Sequence, residues 1–352
     1  MAKIRFGIIG SGYMGRTNAE AVKRLPELAT LVAVCGGSEA PDLAQRYGVA
    51  CEATVESLLA RADIDAVAIT TPHHLPATEG ILALHAGKHA LVEKAVTISL
   101  AEYDQIMATA GRRGLVLALA HFQRFRLNNL RALELIRSGA IGTVQTVQVS
   151  MPYERVLKPF FYEGGVKAKG HGAEDLGPTV NGAPHAVDLV RLFTGAEVRR
   201  VSAFSRTVAP NRSHEDTTLA LMEFSNGALL SLFVSSALPG PIFPDDHFRF
   251  RIMGSEGLID LDPFGELRLA DQGGWRVVSK QPPIAYQSAD TAFGDVRMQA
   301  YCAQMQSFIA AIHGQPEPGA PTRVGSARDG RIGVEVCLAI FQSSRERRWV
   351  EL

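Results

Sequence analysis

The sequence has no excess of charge of either sign, and this absence bears on the kind of partner it can have. Its 352 residues contain 36 Lys and Arg against 36 Asp and Glu, so the formal net charge is zero. Nucleic-acid and membrane-surface partners both call for a basic excess. The densest basic stretch, RERR at 345–348, is interpreted as a solvated helix end. We therefore expect a small-molecule partner, with no nucleic acid and no membrane.

Cysteine is also scarce. Cys35, Cys51, Cys302 and Cys337 form no C-x-x-C pair and no cluster with histidine, so neither a structural zinc site nor a disulfide framework is expected. No run of 18 apolar residues is present, and the start MAKIRFGIIGSG passes into a strand without a signal-peptide core. These features favour a reducing, cytoplasmic location.

The remaining composition, 46% apolar and 20% charged, is typical of a globular enzyme or binding protein, and the length predicts two domains. Residues 1–123 alternate β-rich runs with helical stretches, which predicts a doubly wound parallel sheet of the Rossmann type. Residues 124–352 contain longer alternating strands and a hairpin signal at Asn226-Gly227. They predict an α+β domain with a large, open, mostly antiparallel sheet. The fold class is therefore α/β with this second domain.

A glycine-rich loop joins the first predicted strand to the first helix. GIIGSGYMGR contains Gly10-x-Gly12-x-x-Gly15. The first glycine permits a tight turn, the second lets a pyrophosphate approach the backbone, and the third lets the helix pack on the strand. A turn that only tightens the junction would leave Gly12 unexplained. We expect Gly10, Gly12, Tyr13, Met14 and Gly15 to bind a dinucleotide.

The position for the ribose is less distinctive. A carboxylate is expected about 20 residues after the glycine loop, but the second strand ends in Cys35-Gly36-Gly37-Ser38. Loss of the carboxylate removes a repulsion against a 2′-phosphate, yet no basic residue is close, since Arg46 is a helix turn or more away. The cofactor is thus NAD or NADP, with NAD slightly favoured, and Gly36 and Ser38 are expected beside it.

Three further segments follow predicted parallel strands: TTPHHLP (70–76), VEKA (92–95) and HFQRF (121–125). Ligands of doubly wound sheets bind beyond the carboxyl ends of the strands. A lysine there can place a proton donor near the nicotinamide and a substrate oxygen, whereas the alternative is a strand-end ion pair between Glu93 and Lys94. The residues expected to line the cofactor site are Thr71, Pro72, His73, His74, Glu93 and Lys94.

A set of motifs follows one another along essentially the whole chain: GIIGSGYMG, TTPHHLPA, AGKHALVEKA, HFQRF, LIRSGAIG, HAVDLVRLFTG, FSNGALLS, IMGSEGLIDLD and EVCLAIFQSSRERRWVEL. Their order resembles that of the glucose–fructose oxidoreductase/inositol dehydrogenase (Gfo/Idh/MocA) family. The resemblance implies a Rossmann domain, a C-terminal sheet that forms a homodimer or homotetramer, and NAD(P)-dependent hydride transfer at a carbinol carbon of a sugar, cyclitol or related polyol.

The family's catalytic positions fall on residues of this chain. Its Glu-Lys-Pro falls on 93–95, so Lys94 resembles the lysine that contacts cofactor and substrate hydroxyl, although Ala95 replaces the proline. Its Asp-x-Gly-x-His-x-x-Asp falls on 181–188, so His185 resembles the acid/base, and an imidazole can take a hydroxyl proton. Asn181 replaces the aspartate; its amide binds substrate but cannot exchange a proton.

Other candidates keep two interpretations. The glycine run before this motif is mostly replaced by HGAEDLGPT, where Asp175 is either a site carboxylate or a solvated loop residue. Arg124 either binds substrate or bridges the domains. Tyr153 and Tyr162 are expected near the substrate. His171, Glu174 and Asp175 imitate metal ligands, but we expect no metal.

Two functional alternatives remain beside the dehydrogenase. One is a glycosidase-type enzyme that keeps NAD bound and oxidises the sugar transiently, for which the altered 170–180 segment leaves room. The other is a non-catalytic cofactor-binding sensor, which the presence of both Lys94 and His185 disfavours. Release of product from a glycoside without net NADH would distinguish the first alternative.

Overall fold

The chain divides into two compact units. Unit 1 comprises Met1–Phe125 and Gln287–Arg331, and unit 2 comprises Arg126–Tyr286 and Ile332–Leu352. The computed structural model describes residues 2–72, 75–94, 97, 99–152, 177–209, 214–238, 248–282, 293–315 and 323–352.

Unit 1 is built on a seven-stranded sheet that is parallel apart from one edge strand. Its strands are β1 (Ile4–Ile9), β2 (Ala29–Cys35), β3 (Ala50–Glu52), β4 (Ala66–Ile69), β5 (His89–Val92), β6 (Leu117–Leu119) and β15 (Gly325–Ser326). The order across the sheet is β15-β6-β5-β4-β1-β2-β3, with β15 antiparallel to β6. The predicted Rossmann sheet is confirmed.

The helices of unit 1 begin and end where local sequence rules require. They are α1 (Tyr13–Lys23), α2 (Ala40–Tyr47), α3 (Val55–Leu59), α4 (Pro76–His85), α5 (Leu100–Arg113), a 3-10 helix (Phe122–Phe125) and α8 (Asp295–Ile312). Ser99 caps α5 by accepting a hydrogen bond from the Glu102 amide at 3.3 Å. Gly48 and Gly114 end α2 and α5 in the left-handed conformation.

The position of α8 differs from the sequence prediction, which assigned the whole of 124–352 to one C-terminal domain. The segment 287–331 belongs instead to unit 1. α8 packs on α1 and on the 3-10 helix, where the rings of Phe122 and Tyr301 stack with centroids 4.5 Å apart. The sequence could not predict that this segment belongs to unit 1, because the residues on which α8 packs lie more than 150 positions earlier in the chain.

Unit 2 contains a nine-stranded sheet in the order β14-β13-β12-β11-β7-β10-β9-β8-β16. Every neighbouring pair is antiparallel except β7 and β10. The strands are β7 (Val144–Pro152), β8 (Val198–Arg206), β9 (Thr217–Phe224), β10 (Leu229–Ser235), β11 (Arg249–Gly254), β12 (Leu258–Leu261), β13 (Glu266–Asp271), β14 (Gly274–Lys280) and β16 (Val350–Glu351).

The predicted hairpin is confirmed: β9 and β10 pair antiparallel, and Gly227 turns with φ 86°. Three further helices are α6 (Leu127–Arg137), α7 (Pro178–Thr194) and α9 (Ala327–Glu346). The division between the units falls within α9. Among the described residues, no helix is long and apolar enough to cross a membrane.

The two faces of the unit 2 sheet differ, because successive side chains of a strand alternate between them. α7 packs against β7, β9 and β10, and on β9 the residues Ala220 and Met222 are buried. Leu219 and Leu221 point to the other face and are 55% and 54% exposed. The sheet is therefore covered on one side and presents apolar side chains on the other.

Candidate active site

Three of the predicted segments meet at one edge of the unit 1 sheet. β1, β4 and β5 are parallel neighbours, so their carboxyl ends lie side by side. The glycine loop follows β1, Thr70-Thr71-Pro72 follows β4, and Glu93-Lys94 follows β5. The sheet thus brings the glycine loop, Thr71, Pro72, Glu93 and Lys94 to one edge.

The glycine loop has the shape that a pyrophosphate requires. Gly10 has φ 100°, and a Cβ on Gly15 would stand 2.0 Å from the Gly10 carbonyl oxygen. Gly12 is the N-cap residue of α1 and borders open space. Among the described residues, no side chain caps this helix end and no acidic residue lies in its first turn. The free amides of a helix N-terminus are an anion site, and they fit a dinucleotide.

Thr70, which sequence reasoning missed, holds this loop. Its Oγ1 donates to the carbonyl oxygens of Ile9 and Gly10, each 3.0 Å away. The neighbouring Thr71, which was predicted, donates its hydroxyl to the buried Glu79 of α4. The sequence does show a hydroxyl residue at the carboxyl end of β4. Its hydrogen bonds to the glycine loop, however, form only because β4 lies beside β1.

The end of β2 lacks a carboxylate, as the sequence indicated. Cys35 is fully buried, and burial raises the pKa of its thiol to about 12, so the thiol is neutral at physiological pH. Gly36 and Gly37 have φ 77° and 80°, and a Cβ on Gly37 would stand 2.5 Å from Ser11 Oγ. At this bend the chain presents only backbone and then the exposed Ser38. A carboxylate that binds the ribose is usual at this position.

Lys94 lies at the centre of the same edge. The Glu93 amide donates to the Ile69 carbonyl at 3.0 Å, so the ladder between β4 and β5 extends one residue beyond the strands. Lys94 follows as a half-buried residue in a bend. This position fits the role of a lysine that reaches a ligand from a rigid strand end.

Arg124 is tied to structural partners within unit 1. Its guanidinium forms an ion pair with Asp329 at 3.1 Å and donates to the Arg323 carbonyl at 3.2 Å. The side chain is only 4% exposed. These contacts hold the 3-10 helix to the start of α9, and the two interpretations of Arg124, substrate binding and bridging of the domains, stay predictions.

Unit 2 carries the second group of predicted residues on α7. Asn181 and His185 are one helical turn apart, so their side chains emerge from the same face of the helix. Asn181 is half-buried and His185 is 9% exposed. Pro178 opens the helix, and Pro184 lies inside it against Gly333 of α9, where a Cβ would be 3.2 Å from the Pro184 Cβ. The amide and the imidazole are thus held in register by a buried helix.

A carboxylate that sequence reasoning did not single out lies at the start of α7. Glu215 Oε1 accepts a hydrogen bond from the Thr179 amide at 3.2 Å. The carboxylate occupies the space where a side chain on Gly177 would begin, and Asn181 Nδ2 donates to the Gly177 carbonyl at 3.4 Å. Burial raises the pKa of Glu215 despite the hydrogen bonds from Thr179. Glu215 therefore lies within one helical turn of Asn181.

Several predicted residues lie outside the described part of the chain, which leaves their roles as predictions. They are His73, His74, Ala95, Tyr153, Tyr162, His171, Glu174 and Asp175. Within the described part, no group of three or more His, Cys, Asp or Glu could hold a metal ion.

Comparison with known proteins gives consistent matches over both units. A model of the oxidoreductase family with NAD-binding Rossmann fold matches residues 4–121, and a model of the GFO/IDH/MocA C-terminal domain matches residues 129–260.

Individual relatives align over nearly the full length. UDP-N-acetylglucosamine 3-dehydrogenase of Acidithiobacillus ferrooxidans is 28% identical over 312 residues, which cover 89% of this chain and 90% of that protein. Inositol 2-dehydrogenase of Rhizobium meliloti is 25% identical and covers 99% of each. A solved levoglucosan dehydrogenase, in complex with NADH and L-sorbose, superposes with a TM-score of 0.80 at 22% identity, covering 100% and 99%. That likeness shows the fold.

Alanine substitutions in the glycine loop should separate binding from stability. Gly12→Ala adds a methyl group in open space, so we expect unchanged thermal stability but NADH affinity lowered at least about tenfold, because the backbone must approach the pyrophosphate. Gly15→Ala must move the Gly10 carbonyl and should lower both. Gly111→Ala in α5, where a Cβ meets open space, is the control, with a gain of about 0.5–1 kcal/mol. Equal NADH affinity in Gly12→Ala and wild type would contradict this.

The raised pKa of Glu215 predicts a pH-dependent stability. A carboxyl group with a higher pKa in the folded state stabilises the fold while it is protonated, and this contribution is lost as pH rises through the folded-state pKa. Glu215→Gln should therefore gain stability relative to wild type as pH rises from about 4.5 to 8. Urea unfolding at several pH values measures this difference, and a constant difference would refute the assignment.

Proposed function

Because this chain belongs to the Gfo/Idh/MocA family of NAD-binding oxidoreductases, as its motif order predicted, we propose that it transfers a hydride between a carbinol carbon of a sugar, cyclitol or related polyol and the nicotinamide. The observation that carries this proposal is the retention of Lys94 at the end of β5 together with Asn181 and His185 on one face of α7. The names of the relatives, which are UDP-N-acetylglucosamine and inositol dehydrogenases, support the substrate class.

The residues of unit 1 fit NAD. The amides of the first turn of α1, from Gly12 to Met14, would bind the pyrophosphate, and the open space at Gly12 would admit it. The bend at Gly36-Gly37 would lie at the adenosine ribose. When bound, the nicotinamide supplies the hydride acceptor for alcohol oxidation.

We assign the transfer of the proton of the reacting hydroxyl to His185. In the oxidation, the imidazole accepts this proton, and in the reverse direction it returns the proton to the oxygen of the ketone. Lys94 holds the same oxygen with its ammonium group and stabilises negative charge that develops there. Asn181 binds a substrate hydroxyl through its amide and takes no part in proton exchange.

Substitution of these residues should lower turnover. We expect Lys94→Ala and His185→Gln each to reduce kcat by about 10²–10⁴-fold, the usual contribution of a positioned acid or base. The assay follows reduction of NAD⁺ and NADP⁺ over a panel of monosaccharides, cyclitols and glycosides. Lys3→Ala, at an exposed lysine before β1, is the control.

Two results would contradict the proposal. If Lys94→Ala retained the turnover of wild type, the lysine would be a structural strand-end residue. If wild type bound NADH but reduced no cofactor with any substrate, the dehydrogenase assignment would fail. Product analysis of the glycoside reactions would then separate transient oxidation from a sensor role.

The exposed face of the unit 2 sheet supports the oligomer that the family resemblance implied. Phe204, Leu219 and Leu221 are 59%, 55% and 54% exposed on adjacent strands and line a shallow depression of about 410 Å³. Contiguous exposed apolar patches mark interaction surfaces. We propose that a second copy of this chain covers this face in a homodimer or homotetramer.

A charge on this face should dissociate the oligomer. Leu221→Asp costs little in the isolated unit because the side chain is already exposed, but its burial in an interface would leave an unpaired carboxylate. We expect the native mass, measured by light scattering, to fall to that of the monomer. Leu127→Asp, at a 49% exposed position that begins α6, a helix that packs with α7 on the covered side of the sheet, should keep the wild-type mass. A monomeric wild type, or an unchanged mass in Leu221→Asp, would refute this interface.

A further inference from the structure

A buried guanidinium lies between α8 and α1 in unit 1. Arg297, in the first turn of α8, is 2% exposed. Its guanidinium carbon lies 4.4 Å from the ring centroid of Tyr13, 4.6 Å from that of Tyr301 and 5.2 Å from that of Phe293. Removing a cation from water is costly unless it is well compensated, and aromatic faces compensate it in part. The burial of the Arg297 guanidinium therefore indicates a role beyond packing.

The guanidinium is also the start of a short chain of hydrogen bonds. Arg297 Nη2 donates to Thr17 Oγ1 at 2.9 Å, and Thr17 Oγ1 donates to the Tyr13 carbonyl oxygen at 2.8 Å. Thr17 is fully buried. Arg297 therefore contacts Tyr13 twice, directly at the ring and through Thr17 at the backbone.

Tyr13 is the first residue of α1 and directly follows Gly12. The amides of this turn are the groups that the glycine loop presents to a dinucleotide. Their direction depends on how the first turn of α1 is held, and Arg297 holds that turn from a helix 280 residues further along the chain.

The other end of α1 is anchored to the same segment. Arg24, the residue that ends α1, donates to the Phe293 carbonyl at 2.8 Å and pairs with Asp295 at 2.7 Å. The ring of Phe293 packs on Tyr13 with centroids 5.4 Å apart. Residues at the start of α8 thus contact α1 at both of its ends and hold it in position.

We propose that Arg297 is a positioning residue for the cofactor, acting through Thr17 on the first turn of α1. The hydrogen bond from the guanidinium keeps the Thr17 hydroxyl aimed at the Tyr13 carbonyl, so that the amides of that turn stay directed at the pyrophosphate. The motif G-x-G-x-x-G is then completed by a residue that lies far outside it in sequence.

Thr17→Val tests this chain of contacts with the charge and the volume nearly unchanged. Its matched control is Thr109→Val in α5. Thr109 is 3% exposed, donates to the Gln105 carbonyl at 2.8 Å and accepts from Arg112 at 3.2 Å. Both threonines donate to the carbonyl four residues earlier and accept from an arginine, but Arg112 is exposed, and only Thr17 lies beside the glycine loop.

The measurement is NADH binding by fluorescence titration, together with thermal unfolding without cofactor. We expect Thr17→Val to raise the Kd for NADH about tenfold, since a hydrogen bond to a charged donor is lost at the binding turn. Thr109→Val should leave the Kd within about twofold, with a smaller loss of Tm because the Arg112 side chain that loses its acceptor is exposed. If Thr17→Val bound NADH as wild type does, or if both variants lost affinity equally, the proposal would be overturned.

A double-mutant cycle adds a second readout. If Arg297 acts through Thr17, the loss of affinity in Arg297→Met/Thr17→Val should be clearly smaller than the product of the two single losses, because both changes remove the same hydrogen bond between the two residues. Multiplying effects would show that the two residues act separately and would overturn the proposal. Should Arg297→Met fail to fold, the Thr17→Val comparison still decides.

Discussion

The pairing of β1 with β4 is the constraint on which the cofactor half of the candidate site depends. Two strands and three helices separate β1 from β4 in sequence, yet the two strands are hydrogen-bonded neighbours. This adjacency lets Thr70 reach the carbonyls of Ile9 and Gly10. β5 pairs with the far side of β4 and brings Lys94 to the same edge. The order of the strands therefore determines where the cofactor half of the site lies.

Features governed by short-range rules could be predicted from the sequence. The spacing of Gly10, Gly12 and Gly15 predicted a loop in which each glycine has its own steric role, and the contact at Gly15 shows one such role. The hairpin at Asn226-Gly227 followed from the backbone preferences of these two residues. The two sheets followed from the change of periodicity near residue 124. In each case the determining atoms lie within a few residues of one another.

The features that could not be predicted depend on residues far apart in the chain. Arg297 and Thr17 meet across 280 positions, and Glu215 meets the start of α7 across 36. A lone arginine or glutamate in a sequence gives no sign of which helix end it will contact. Arg124 shows the converse: its motif drew attention to it, but its ion pair with Asp329 arises from the return of the chain to unit 1.

A carboxamide at position 181 changes how charge is distributed around α7. An aspartate there would place a second carboxylate within one helical turn of Glu215, and like charges at that spacing repel. Asn181 avoids this repulsion, while the Thr179 amide in the first turn of the helix donates to Glu215 and offsets part of the cost of burying its carboxyl group. The carboxamide at position 181 and the carboxyl group of Glu215 are thus compatible neighbours at the start of α7, and the proposed mechanism accordingly assigns proton exchange to the imidazole of His185 alone.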